Sequence, residues 1–142
     1  EYDFTEDPEE FFTYVDGIFA DGGGDLPEST LDVILKACDS DWYMGQGKKR
    51  KIIIVMTDAP PREIDASSLR DGESPTTTTV INRYLGMSEA NEGRLLIIGP
   101  DSPEYSEIAM AEFTQYIKSS PGQGLEEIGF YDVVIPWIVN SI

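Results

Sequence analysis

Lys51-Ile52-Ile53-Ile54-Val55-Met56-Thr57-Asp58 is an almost unbroken apolar run that closes on a hydroxyl and a carboxylate. A strand with one wet face alternates apolar with polar residues. A strand covered on both faces does not, and such runs mark parallel sheets. Arg94-Leu95-Leu96-Ile97-Ile98-Gly99 repeats the pattern and leads at once into Pro100-Asp101. Parallel neighbours cannot be joined by a tight hairpin, so the stretch between them must hold a crossover. Val80, Ile81, Tyr84 and Leu85 supply one, a helix predicted around residues 79–85. The fold class that follows is α/β, a Rossmann-like parallel sheet with helices on both faces. Ligands of such sheets gather at the carboxyl ends of the strands, an edge that here carries Asp58 and Asp101.

Upstream lie two helices. Asp7 reads as an N-cap, Pro8 as the first helical residue and Glu10 as the acidic end of a capping box, after which Phe11, Val15, Ile18 and Phe19 share one face. This helix stops in Asp21-Gly22-Gly23-Gly24. Asp25 then caps the next, with Pro27 and Glu28 in its first turn, and Leu31, Ile34, Leu35 and Cys38 form a buried stripe at helical spacing. Downstream, a helix is expected over about residues 104–118, with Ile108, Ala109, Ala111, Phe113 and Ile117 inward. A turn at residues 121–124 precedes a short strand at Phe130-Tyr131 and a last helix over residues 132–142, with Pro136 near its first turn. Glu1 to Phe4 reads as the end of a strand. No repeat interrupts this pattern, so residues 1–142 make a single domain.

Composition narrows the chemistry. The chain has 27 acidic and 10 basic residues, a net charge of −17, so nucleic acid and anionic membrane surfaces are repelled rather than captured. Partners should be cations, basic proteins or neutral surfaces. The absence of histidine excludes Ser/His/Asp and Cys/His catalysis and imidazole zinc sites. A single cysteine, Cys38, excludes an intrachain disulfide and sits on the helical stripe as a small core residue. No apolar run approaches the ~18 residues of a membrane span, and the first residues lack the basic start of a signal peptide.

Asp21-Gly22-Gly23-Gly24-Asp25-Leu26-Pro27-Glu28-Ser29, opening a helix, and Ile53 to Pro61, ending a strand in Thr57-Asp58, resemble in order and spacing two segments of the von Willebrand factor type A domain. The resemblance covers the chain as the C-terminal two thirds of such a domain. It implies a non-enzymatic, divalent-cation-dependent protein-binding or adhesion module, in an extracellular or cell-surface setting. The implied ion is Mg²⁺, Mn²⁺ or Ca²⁺ in a metal-ion-dependent adhesion site, and an acidic group of a protein partner completes its coordination. On this sequence Asp58 and Asp25 would be the metal residues, with Gly23, Gly24 and Thr57 supporting the loop.

The sequence departs from the family in two places. The Asp-x-Ser-x-Ser motif that the family carries on its first strand is absent; Asp65-Ala66-Ser67-Ser68 has the wrong spacing. The domain therefore reads as partial, and its missing N-terminal part is itself an expected partner. With the register anchored on Leu31, Asp25 stands where the family has a metal-binding threonine.

Other readings stay open. Asp25 serves equally as a helix cap, Asp58 as a turn residue and the glycines as a helix stop. The glycines form no phosphate loop, since neither Gly-Lys-Ser/Thr nor Gly-x-Gly-x-x-Gly follows a strand. An alternative function is a Mg²⁺-dependent α/β hydrolase or phosphoryl-transfer enzyme using Asp58 and Asp101. A third is a structural module of the same fold without its ion. Lys48-Lys49-Arg50-Lys51 reads as a solvated turn, and Trp42 and Tyr43 as either recognition aromatics or packing at the sheet edge.

Overall fold

The computed structural model describes residues 4–17, 27–43, 45, 47, 49–88, 92–120 and 130–141. Helices α1 (Pro8–Asp16) and α2 (Thr30–Cys38) precede strand β1 (Lys51–Met56). Then come α3 (Thr77–Met87), β2 (Gly93–Gly99), α4 (Pro103–Ile108), β3 (Thr114–Lys118) and α5 (Phe130–Ser141). The strands form one parallel sheet in the order β1-β2-β3, with Ile53 opposite Leu95 and Ile97 opposite Tyr116. The chain is an α/β fold.

Strand geometry decides which residue faces which helix. Side chains alternate across a strand, so Ile53, Val55, Leu95 and Ile97 share one face. There they join Leu31, Ile34 and Leu35 of α2, Val80 and Tyr84 of α3, and Tyr105 and Ile108 of α4 in the main core. The alternate set, Ile54, Leu96, Ile98 and, from β3, Ile117, meets Val134, Trp137 and Ile138 of α5 on the opposite face. Each fully buried Ile or Leu contributes about 1.5–3 kcal/mol through removal from water. The helices α3 and α4 lie on one face because the sheet grows in one direction, β1 to β2 to β3, and crossovers of one hand then return on one side.

The apolar run of β2 is buried throughout, as its sequence predicts. That of β1 is not: its second face is only half covered, with Met56 49% exposed, because among the described residues it pairs with β2 alone. Hydrogen bonds to β2 come from the N–H groups of Lys51 (to Glu92 O, 2.9 Å) and Thr57 (to Ile98 O, 3.0 Å). Alternation therefore turns the backbone of Ile52, Ile54 and Met56 toward an open edge.

The structure corrects several expectations. The helix expected over residues 104–118 ends at Ile108, and Thr114–Lys118 is a strand. A turn that places Phe113 at φ 59° breaks the helix, and the Tyr84 hydroxyl holds it by donating to the carbonyls of Glu112 and Phe113. Phe130 and Tyr131 begin α5 instead of forming a strand, and Pro136 lies inside that helix. Helix α2 starts at Thr30 with Ser29 as its cap residue, so Pro27 and Glu28 precede it. Finally, Lys51 is not solvated: it is 8% exposed and its ammonium donates to the Met87 carbonyl at 2.9 Å, at the negative end of α3.

Around α1, Asp7 accepts from the Glu9 N–H at 2.9 Å as a cap should. Glu10 does not close a capping box; it accepts from the hydroxyls of Thr5 and Tyr14 instead. Phe11, expected to face inward, is 54% exposed. Ile18, Phe19 and the strand expected at residues 1–3 lie outside the described residues, and Phe4 belongs to no element.

Candidate functional site

The carboxyl edge of the sheet is where the sequence-predicted residues converge. Thr57 follows β1 directly, and its hydroxyl lies 3.3 Å from the Ala59 N–H and 3.2 Å from the Ala59 carbonyl, bending the chain sharply around Asp58. Asp58 is left at the apex, exposed, with no hydrogen bond or ion pair from any described residue. Beyond it, Glu28 pairs with Pro61 as an isolated parallel bridge: the Glu28 N–H donates to Pro60 O at 2.9 Å, and the Arg62 N–H to Glu28 O at 2.8 Å. This bridge brings the start of α2 beside the end of β1.

The result is an open cleft of about 300 Å³ lined by Glu28, Ser29, Thr30, Val33, Thr57 and Asp58, with Val55 and Met56 beneath. Two carboxylates and three hydroxyls give it a hard-oxygen donor set, the ligand chemistry of Mg²⁺ and Ca²⁺. Ser29 and Thr30 also stand at the amino end of α2, where the Ser29 side chain makes no capping hydrogen bond. Among the described residues no group of three or more Asp, Glu, His or Cys side chains stands close enough together to hold a metal ion. The donor types fit a hard cation, and the described carboxylates alone do not enclose one.

Asp25, Gly23 and Gly24 lie outside the described residues, so of the five site residues expected from the sequence, Thr57 and Asp58 are brought to one cleft here. Asp101, expected at the same edge, is committed elsewhere: Lys118 pairs with it at 2.6 Å. The sequence reading missed Glu28, Ser29 and Thr30 because it placed them inside or before a helix that begins one turn later. The Pro27-Glu28-Ser29-Thr30 order was the available signal, since Ser directly before the apolar stripe is itself a cap.

Behind the cleft stands Tyr105, 0% exposed, which the sequence reading left unnamed in the first turn of the helix expected from about residue 104. Its hydroxyl donates to the Ala59 carbonyl at 3.1 Å, an acceptor it shares with the Thr57 hydroxyl at 3.2 Å. Burial pushes this phenol above its ordinary value, against the lowering effect of Thr30 and Thr57. Its ring meets Tyr116 edge-on at 5.7 Å. The Tyr116 hydroxyl in turn accepts from the Ser102 N–H at 3.2 Å and donates to the Pro100 carbonyl. Ser102 caps α4 by accepting from the Tyr105 N–H. Two tyrosines thus tie the loop after β1 to the loop after β2.

Elsewhere, a second hollow of about 380 Å³ lies between α2 and α3, lined by Cys38, Asp39, Arg70, Glu73, Asn82, Arg83, Gly86 and Met87. Its charges satisfy one another. Trp42 packs against the core and donates to Ala37 O at 3.0 Å, while Tyr43 is 73% exposed. No family model, curated protein or solved structure matches the chain.

Proposed function

We propose that the chain is a non-enzymatic, divalent-cation-dependent protein-binding module of the von Willebrand factor A type, its sheet the parallel part of a larger Rossmann-like one. The observation that carries this reading is Asp58: a carboxylate without a partner among the described residues, at the carboxyl end of a parallel strand, in a cleft whose other polar side chains are those of Glu28, Ser29, Thr30 and Thr57. Asp58 and Glu28, with Asp25 by family resemblance, hold Mg²⁺, Mn²⁺ or Ca²⁺, and an acidic group of a protein partner completes the shell. The chain's own charge of −17 then makes the ion the element that lets an acidic partner approach. Among the described residues β1 pairs with β2 alone, which leaves its other edge free to accept the further strand that the family resemblance implies.

The hydrolase or phosphoryl-transfer reading is weaker because Asp101, its second carboxylate, is ion-paired with Lys118. One titration separates the readings. Mg²⁺, Mn²⁺ or Ca²⁺ should raise the melting temperature, since an ion at ~100 times its Kd adds about 2.7 kcal/mol, and Asp58→Ala should abolish the rise. No rise with any of the three, measured also with the upstream segment of the domain supplied, sinks the adhesion-site reading. Phosphatase turnover that depends on Asp58 promotes the enzyme.

A further inference from the structure

We propose that α1 is a docking surface for a basic amphipathic helix of a partner protein: Phe11 and Phe12 take the partner's apolar stripe, and the carboxylates around them take its flanking cations. The surface shares no residue with the cleft at the end of β1, and the inference does not depend on a bound ion.

Helix α1 does not sustain itself. It has 9 residues, whereas an isolated helix needs roughly 12–15 to be even marginal in water, and its Phe, Thr, Tyr, Val and Asp are middling or poor helix formers. Burial of one face against a neighbour normally makes up the difference. Here every described side chain of α1 is exposed except Tyr14, which is partly buried, with Phe11 at 54% and Phe12 at 63%. The two rings stand about 100° apart around the axis, the width of the arc that an amphipathic helix turns toward a neighbour. They meet edge-on, with centroids 6.0 Å apart. Such a face, apolar and rimmed by polar residues, marks an interaction surface.

The helix starts from a held end. Phe4 packs against Trp42 at 5.2 Å, and Trp42 lies against the main core with its indole N–H on Ala37 O at 3.0 Å. Thr5, next in the chain, donates its hydroxyl to Glu10, and Asp7 caps the first turn by accepting from the Glu9 N–H at 2.9 Å. The aromatic face of α1 is therefore presented from a fixed base.

Charge selects the occupant. Glu6, Asp7, Glu9, Glu10 and Asp16 put carboxylates in and beside α1, and residues 4–17 contain no Lys or Arg. Glu9 and Asp16, two turns apart, fall on one line along the helix next to Phe12. What covers this face must bring an apolar stripe bordered by cations, which is the composition of a basic amphipathic helix. A second copy lacks it: the copy carries the same charge of −17, and its Lys51, Arg62, Arg70, Arg83 and Lys118 already pair with carboxylates of their own chain. An anionic membrane is repelled by the same field.

The experiment is isothermal titration of the whole chain with a synthetic helical peptide of leucine and lysine, its leucines on one helical face, and with a control peptide of equal charge in which serine replaces leucine. The leucine peptide should bind, and more weakly as salt rises. Phe11→Ser combined with Phe12→Ser removes apolar area and no charge, and should lower that affinity by about tenfold or more. Glu6→Lys combined with Glu9→Lys keeps both rings and should weaken binding as well. All four side chains are exposed, so neither variant disturbs the core. Failure of the leucine peptide to bind overturns the proposal. Equal binding by the serine peptide or by the doubly substituted Phe variant reduces the contact to charge alone and overturns it too. If the chain extended by the upstream segment of its domain no longer takes the peptide, α1 packs inside its own domain and the proposal falls. A dimer in sedimentation that the Phe substitutions dissolve gives the face to a second copy and overturns it equally.

Discussion

Arg83, inside α3, pairs with Asp39 at the end of α2 at 2.9 Å, and so locks together the two helices that cover the main face of the sheet. Its side chain is 5% exposed, and the same guanidinium meets Glu73 and donates to the Ser68 carbonyl at 3.0 Å. One cation thus satisfies acceptors from three segments. Arg83→Ala should destabilise the protein by about 3 kcal/mol, the low end for breaking a buried ion pair, since Asp39 and Glu73 keep some water. Urea denaturation measures it; a loss within ~0.5 kcal/mol of zero, the size of an ordinary surface change, would show the network to be ornamental.

The same contact predicts a pH dependence. Arg83, seconded by the Arg70 N–H, holds the Glu73 carboxyl below its ordinary value of 4.5. A carboxylate depressed in the folded state binds its proton more readily when unfolded, so its stabilising effect is present above that value and is lost as the pH falls through the folded one. Glu73→Gln should therefore be less stable than the native chain near neutral pH and approach it in acid below about 4.5. A difference between the two that stays constant from neutral pH down to acid would contradict the assignment.

Legibility in the sequence followed the physics of each segment. The two Ile/Leu-rich strands and the Leu31–Cys38 stripe were readable because burial on two faces, or on one helical face, leaves a periodicity that local sequence alone carries. Thr114–Lys118 was not, because Ile108, Ala111 and Phe113 continue a helix-like spacing into it. What decides against the helix is pairing of Leu95 with Thr114, a contact between segments. At the site, Thr57 and Asp58 were visible as the end of a strand. Tyr105 was invisible, since an aromatic in a short helix discloses nothing about the carbonyl it will reach across 46 residues.

Cys38 offers a check on the α2–α3 interface. It is 8% exposed, and burial, with the charge of Asp39 beside it, pushes the thiol up to about 12. The thiolate is the reactive form, so at pH 8 the folded protein should react with a disulfide reagent far more slowly than the unfolded chain, by at least ~100-fold. Arg83→Ala should narrow that ratio by opening the hollow above the sulfur. Equal rates for folded and unfolded protein would place Cys38 at the surface.

Two glycines should respond in opposite directions to the same substitution. At Gly99 an added methyl meets Thr57 Cγ2 at 2.9 Å and Tyr105 at 3.3 Å, both held by hydrogen bonds to the Ala59 carbonyl. Neither can retreat without moving Ala59, so Gly99→Ala should cost about 1–3 kcal/mol, the usual penalty of overpacking. At Gly86, inside α3, the methyl finds open space. There the gain is the lower backbone entropy of alanine in the unfolded chain, and Gly86→Ala should stabilise by about 0.5–1 kcal/mol. Thermal melts resolve the pair, because each kcal/mol moves the midpoint by about 2–4 °C in a chain near this size. If Gly99→Ala also raised the midpoint, the end of β2 would not be packed against Thr57 and Tyr105 as described.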